Sequence, residues 1–179
     1  MIACSTKLKL RRHKNNPIIA PDPRHKWESL VTTNPGVWRD SDSGKIMMLY
    51  RAAGCDVEHV VRLALATSTD GYNFERYSEP VVSPSKDGFD AGCIEDPRIV
   101  KFGDCYMITY ATRPFPPGEY WLSTRTRYRP PVVPASFPYA LRTNSTSTGL
   151  LITRDFKSFI RAGRLTDPTV DDRDVILFP

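Results

Sequence analysis

Long apolar runs are missing from this sequence. No stretch approaches the roughly 20 consecutive apolar residues that a spanning helix needs, so no membrane partner is expected. Met1 to Lys14 also lacks the apolar centre and small-residue cleavage site of a secretion signal, and the expected location is the cytoplasm. Histidine is scarce: His13, His25 and His59 are scattered, and Cys4, Cys55, Cys93 and Cys105 include no Cys-x-x-Cys pair. That spacing predicts no metal site and, without a secretion signal, reduced thiols rather than disulfides. A large excess of charge is also absent, and the formal net charge of +5 argues against a dedicated nucleic-acid surface. The densest basic run, Lys7 to Lys14, has no interleaved aromatic residues for stacking bases. It reads as part of a solvated terminal segment, residues 1–15. No window sustains a period of 3.6 with caps at both ends, which leaves helices without a framework role.

What is present is turn and strand chemistry. Sixteen prolines, ten glycines and 11% aromatics suit many short strands. Lys45 to Ala52 and Val61 to Thr69 alternate with the strand period of two, the second placing Val61, Leu63, Leu65 and Thr67 on one face. Arg98 to Phe102 and Cys105 to Thr112 flank Gly103-Asp104, which predicts a hairpin. Thr148 to Thr153 and Phe159 to Leu165 are two more strands, parted by a turn at Asp155. The chain is predicted to be all-β.

These strands repeat. Asp70, Phe74 and Arg76 recur as Asp155, Phe159 and Arg161, each set following a small-residue strand. Asn34-Pro35, a strand, a turn and Tyr50 recur as Asp96-Pro97, a strand, a turn and Tyr110, and a third copy begins at Asp174. Each unit reads as polar-Pro, strand, turn, strand, connection, strand, Asp turn, strand. Four antiparallel strands of that kind make one propeller blade. Two blades do not close a propeller, which takes at least four. Residues 16–179 are therefore expected to be an incomplete β-propeller, either the N-terminal part of a longer protein or one that assembles as a homo-oligomer. Between the repeats, residues 113–144 carry seven of the prolines together with Tyr120, Trp121, Tyr128, Phe137 and Tyr139. Proline excludes a central strand there. The aromatics fit either a sugar-stacking wall or the loop's own packing.

Propellers gather polar groups around the central channel, where inner strands start. Candidate site residues are thus Asn34, Glu95, Asp96 and, in the third copy, Asp172 or Asp174. Acid catalysis on a glycosidic bond needs a carboxyl group near the leaving oxygen. Cys93-Ile94-Glu95-Asp96-Pro97-Arg98 supplies two adjacent carboxylates, a rigidifying proline and a cation. Adjacent residues in an extended chain point to opposite sides, so only one of Glu95 and Asp96 is expected to face the channel. Taken alone, the tetrapeptide fits an Asp-Pro turn with a surface ion pair equally well.

The ordered set Asn34-Pro35, Tyr50-Arg51-Ala52-Ala53-Gly54, Ala66 to Phe74, Gly92 to Arg98 and Asp172 to Pro179 resembles glycoside hydrolase family 130. The resemblance runs from about Asn16 to the last residue. It implies a five-bladed propeller, of which this chain holds about two blades and the start of a third, in relatives roughly twice as long. The substrate it implies is a β-mannoside oligosaccharide, and the reaction an inverting phosphorolysis that yields mannose 1-phosphate. Inorganic phosphate would be the co-substrate, with no cofactor. Asp96 matches the family's general acid, which acts through a hydroxyl of the mannosyl ring. Asn34 and Arg51 match positions that hold the mannosyl unit, Arg98 supports the acidic segment, and Asp56 is a further candidate for a sugar hydroxyl. The family's phosphate-gripping residues lie beyond Pro179, so no phosphate-binding residue is expected in this chain, and little turnover by it alone. Hydrolysis by a β-mannosidase, an inactive glycan-binding or self-associating remnant, and a furanosidase of another five-bladed family remain alternatives.

Overall fold

The computed structural model describes residues 9–118, 134–136 and 142–178. Most of the Pro- and aromatic-rich excursion, including Tyr120, Trp121, Tyr128, Phe137 and Tyr139, lies outside the described residues, as do residues 1–8.

Among the described residues, eight strands form two antiparallel four-stranded sheets in simple meander order. The first holds β1 (Val31–Arg39), β2 (Ile46–Ala53), β3 (Arg62–Ser68) and β4 (Glu75–Arg76). The second holds β5 (Cys93–Phe102), β6 (Cys105–Arg113), β7 (Ser147–Thr153) and β8 (Ile160–Arg164). These are the two blades that the repeat predicts, and the chain is all-β. Residues 171–178 form no strand, though the Thr109 hydroxyl donates to the Val175 carbonyl at 2.7 Å. No helix among the described residues is long and apolar enough to cross a membrane.

The core sits between the blades. Met47, Leu49, Leu63 and Leu65 of the first meet Ile94, Tyr106, Ile108, Tyr110 and Leu151 of the second. The alternate residues of β2 and β3, Tyr50, Ala52, Ala64 and Ala66, face the other way and are covered by Ile19 and Trp27. Both faces of this blade are thus buried, which is why β3 is buried at nearly every position and carries Leu63, Ala64, Leu65 and Ala66 in an unbroken apolar run.

The Asp turns are built alike. Asp70 Oδ1 accepts the amides of Tyr72 and Asn73 at 2.8 Å each, and Asp155 Oδ1 accepts those of Lys157 and Ser158 at 2.8 Å each. These amide bonds, the largest influence in each case, hold both carboxyls below their usual range.

The repeated arginines follow the same plan. In the first blade the buried Tyr50 hydroxyl donates to Glu28 at 2.8 Å, Arg76 pairs with the same carboxylate at 3.1 Å, and Arg76 also donates to the Ala20 carbonyl. In the second, Tyr110 donates to Asp90 at 2.9 Å while Arg161 pairs with Asp90 and donates to the Ser83 carbonyl. Burial first, and the adjoining carboxylate next, push both tyrosine hydroxyls well above their ordinary value. Each blade therefore ties its outermost strand to the segment that precedes it. Gly149 belongs to this arrangement, because a Cβ there would lie 2.4 Å from the Tyr110 hydroxyl.

Candidate active site

The site begins with a backbone irregularity that occurs once per blade. Thr33 pairs with Arg51 and Gly36 with Leu49, so Asn34 and Pro35 together oppose Tyr50. Glu95 pairs with Ala111 and Arg98 with Thr109, so Asp96 and Pro97 together oppose Tyr110. Two residues opposing one is a β-bulge. It explains how proline sits inside these strands, since the bulged position makes no ladder bond. It also moves the strand starts upstream, to Val31 and Cys93, so that Asn34 and Asp96 lie within strands rather than ahead of them. Both adopt positive φ, 46° and 53°, a region that Asn and Asp tolerate better than other residues with a side chain.

The bulges bring the side chains of the two blades together. Asn34 Nδ2 donates to Asp96 Oδ1 at 2.7 Å. Arg51 Nη1 lies 2.6 Å from Glu95 Oε2 and 3.6 Å from Asp96 Oδ1. Asn34, Arg51 and Asp96, singled out separately from the sequence, thus form one cluster. Arg98 Nη1 donates to the carbonyls of Asp96 and Pro97 at 2.9 and 3.2 Å, bracing the bulge from behind, and its Nη2 lies 3.5 Å from Asp174 Oδ1. Asp174 has a positive φ of 68°, like the two bulge residues before it.

Asp56 is the exception. It is exposed on the β2–β3 loop, its Oδ1 accepts the Val60 amide at 3.0 Å, and it borders a recess with Lys26, Trp27 and Arg62. Its described contacts include none of the clustered residues.

Strict alternation fails for Glu95. The turn of the chain at Asp96 brings both neighbouring carboxylates to the same guanidinium, so the rule that adjacent residues face apart does not hold across a bulge. The signal was available: a repeated Asn/Asp-Pro within alternating sequence marks a residue prone to positive φ followed by one unable to donate. Glu95 is 5% exposed. Burial raises its carboxyl above the ordinary value against the opposing charge of Arg51. The wholly buried Cys93 thiol beside it is pushed well up, first by burial and then by the Glu95 charge. This end of the inner strands therefore holds two carboxylates, one guanidinium and one amide, which suits a polyhydroxylated ligand with donors and acceptors at fixed angles.

Potential metal ligands also meet away from this cluster. One ligand atom each from Asp22, His25 and Glu28 lies within 4.8 Å of the others. All three are engaged in protein contacts, with Arg24, with each other, and with Tyr50 and Arg76.

Comparison with known proteins fits this geometry. A family model described as beta-1,4-mannooligosaccharide phosphorylase matches residues 9–122. A 1,2-beta-oligomannan phosphorylase of Thermoanaerobacter sp. (strain X514) is 32% identical over 108 residues, covering 58% of this chain and 36% of that protein. A beta-1,2-mannobiose phosphorylase of the same strain is 31% identical over 113 residues, covering 57% and 36%. The crystal structure of a glycosyl hydrolase from Bacteroides ovatus superposes with a TM-score of 0.62 at 26% identity, covering 87% of this chain and 41% of that one. The match spans only about a third of the length of these curated relatives. With its two propeller blades and its bulge-borne polar cluster, the chain belongs to glycoside hydrolase family 130.

Proposed function

We propose that this chain supplies the acid side and the mannosyl-holding side of a β-mannoside phosphorylase site. The observation that carries the reading is the Asn34–Asp96–Arg51 cluster, in which residues from both blades meet at paired bulges. Asp96 is the general acid. Its Oδ1 is held by Asn34, while Oδ2 accepts no hydrogen bond among the described residues, leaving one oxygen to meet a ring hydroxyl. Asn34 and Arg51 orient the mannosyl unit, and Arg98 fixes the bulge that carries the acid. Inorganic phosphate attacks the anomeric carbon from the opposite face, and the glycosidic bond to the neighbouring sugar breaks. That sugar's oxygen takes the proton Asp96 relays through the ring hydroxyl, and mannose 1-phosphate forms with inverted configuration. An inverting displacement needs groups on both faces of the sugar, and the phosphate side is assigned to sequence that the relatives have and this chain does not match.

The test joins residues 9–178 to the C-terminal remainder of the Thermoanaerobacter 1,2-beta-oligomannan phosphorylase. The chimera is given β-1,2- or β-1,4-mannobiose, with and without phosphate, and the products are followed by phosphorus NMR. Mannose 1-phosphate should form only when phosphate is present and should be lost in Asp96→Asn. Retained turnover in that variant refutes the acid assignment. Free mannose released at the same rate without phosphate moves the reading to hydrolysis, and the preferred disaccharide sets the linkage.

A further inference from the structure

Glu95 is the nearest partner of Arg51, nearer than the residue to which the chemistry is assigned. The same nitrogen, Nη1, lies 2.6 Å from Glu95 Oε2 but 3.6 Å from Asp96 Oδ1. Among the described residues the buried Nε of Arg51 has no hydrogen-bond partner, and the pair with Glu95 is the shortest contact that fixes the guanidinium. Freed from Glu95, an arginine this close to a carboxylate would close onto it as a two-pronged pair. Such a pair favours the ionised carboxylate, the opposite of what an acid requires. Glu95 itself is poorly placed to act on a sugar, being buried and already within 2.6 Å of its cation.

We propose that Glu95 is a positioning residue, holding the Arg51 guanidinium off Asp96 so that Asp96 stays open to substrate. The inference rests on reading Asp96 as the acid. The groups that face Glu95 are few. Arg51 comes from β2, Asp96 and Cys93 from its own strand (Cys93 Sγ is 3.8 Å away), Arg113 from β6, and Arg173 from the C-terminal stretch.

The experiment observes the guanidinium directly, in the 179-residue chain. A paired, buried arginine rotates slowly, and its Nη protons resolve as separate NMR signals. Glu95→Gln should shift the Arg51 signals to a new resolved set as the guanidinium closes onto Asp96. The double variant Glu95→Gln/Asp96→Asn should collapse them, and Asp96→Asn alone should leave the parental set in place. Signals that stay unmoved or collapse in Glu95→Gln alone, that remain resolved in the double variant, or that collapse in Asp96→Asn alone overturn the proposal. If Glu95→Gln does not fold, Arg51→Met is read instead. There the Glu95 carboxyl, followed by carbon NMR, should titrate at higher pH than in the parent chain, and an unchanged midpoint overturns the proposal. None of these signals depends on turnover. A failure here leaves the acid assignment standing, and a failure of the chimera leaves this result interpretable.

Discussion

Gly36→Ala is the sharpest single test of how the two blades meet. Gly36 is buried on β1, just past the first bulge, and faces the second bulge across the blade interface. A Cβ built there would lie 2.5 Å from the Pro97 carbonyl oxygen, 3.1 Å from its carbon and 3.4 Å from the Ile99 side chain. The two closest obstacles are backbone, so no side-chain rotation relieves them. Ordinary contact requires the inner strands to separate by close to 1 Å, and overpacking of this kind costs about 1–3 kcal/mol. The same separation stretches the 2.7 Å bond from Asn34 to Asp96 past hydrogen-bond length. One methyl group should therefore lower stability and disassemble the site together. Urea unfolding measures the first, and the Asn34 side-chain amide signal in NMR measures the second. A variant with parental stability and an unmoved Asn34 signal would refute the close approach, and with it the claim that the blades position the site.

Two further outcomes follow from the repeated structure. Tyr50→Phe removes one hydrogen bond from Glu28 and should cost about 1 kcal/mol. Glu28→Ala strands both Tyr50 and Arg76 and should cost about 3–5 kcal/mol; equal losses in urea unfolding would contradict the three-way tie. Asp70 and Asp155 have folded-state values below the unfolded value of about 3.9. Their contribution is accordingly complete above about pH 4 and is lost as the pH falls through the folded values. Asn replacements keep an acceptor in each turn but remove the charge, so they should flatten the fall in urea midpoint between pH 4 and pH 2. An unchanged acid limb would show that the turn carboxylates do not drive it.

Much of the fold was legible because it is written twice. Asp70 and Asp155 end equivalent strands, Arg76 and Arg161 close equivalent ties, and Tyr50 and Tyr110 sit opposite equivalent bulges. A repeat read in a single sequence reports structure without any alignment. Asn34 and Asp96 were legible as polar residues at strand starts and Arg51 through the family resemblance, but the contacts among them were not, because their meeting depends on how one blade stacks on the next. Asp56 shows the limit: it follows Arg51 closely in sequence, yet its carboxylate is taken up by its own loop. Alternation predicts that only one of Glu95 and Asp96 faces the channel, and the family resemblance selects Asp96; alternation is suspended wherever two residues oppose one. The partners of the two arginine ties were invisible for another reason. Glu28 ends the three-residue 3-10 turn Lys26–Glu28 and Asp90 lies in a connection, and neither is long enough for a period to mark which carboxylate turns inward.

The bulge also explains how a repeated scaffold acquires different chemistry at each repeat. Asn34 and Asp96 share a position in the ladder, a positive φ and a following proline, so the backbone delivers each side chain to the cluster in the same way. Their difference is a single amide against a single carboxyl. The first blade thereby supplies a donor and the second an acceptor, and the 2.7 Å bond between them is the product of that difference. Where blade 1 carries Arg51 opposite its bulged strand, blade 2 carries Ala111 at the matching place. Among the described residues, Arg51 is therefore the guanidinium within ion-pair distance of both carboxylates of blade 2. Had both blades carried arginine there, each carboxylate would have had a cation of its own. Sharing one guanidinium is what makes its placement, nearer Glu95 than Asp96, matter for the acid role proposed for Asp96.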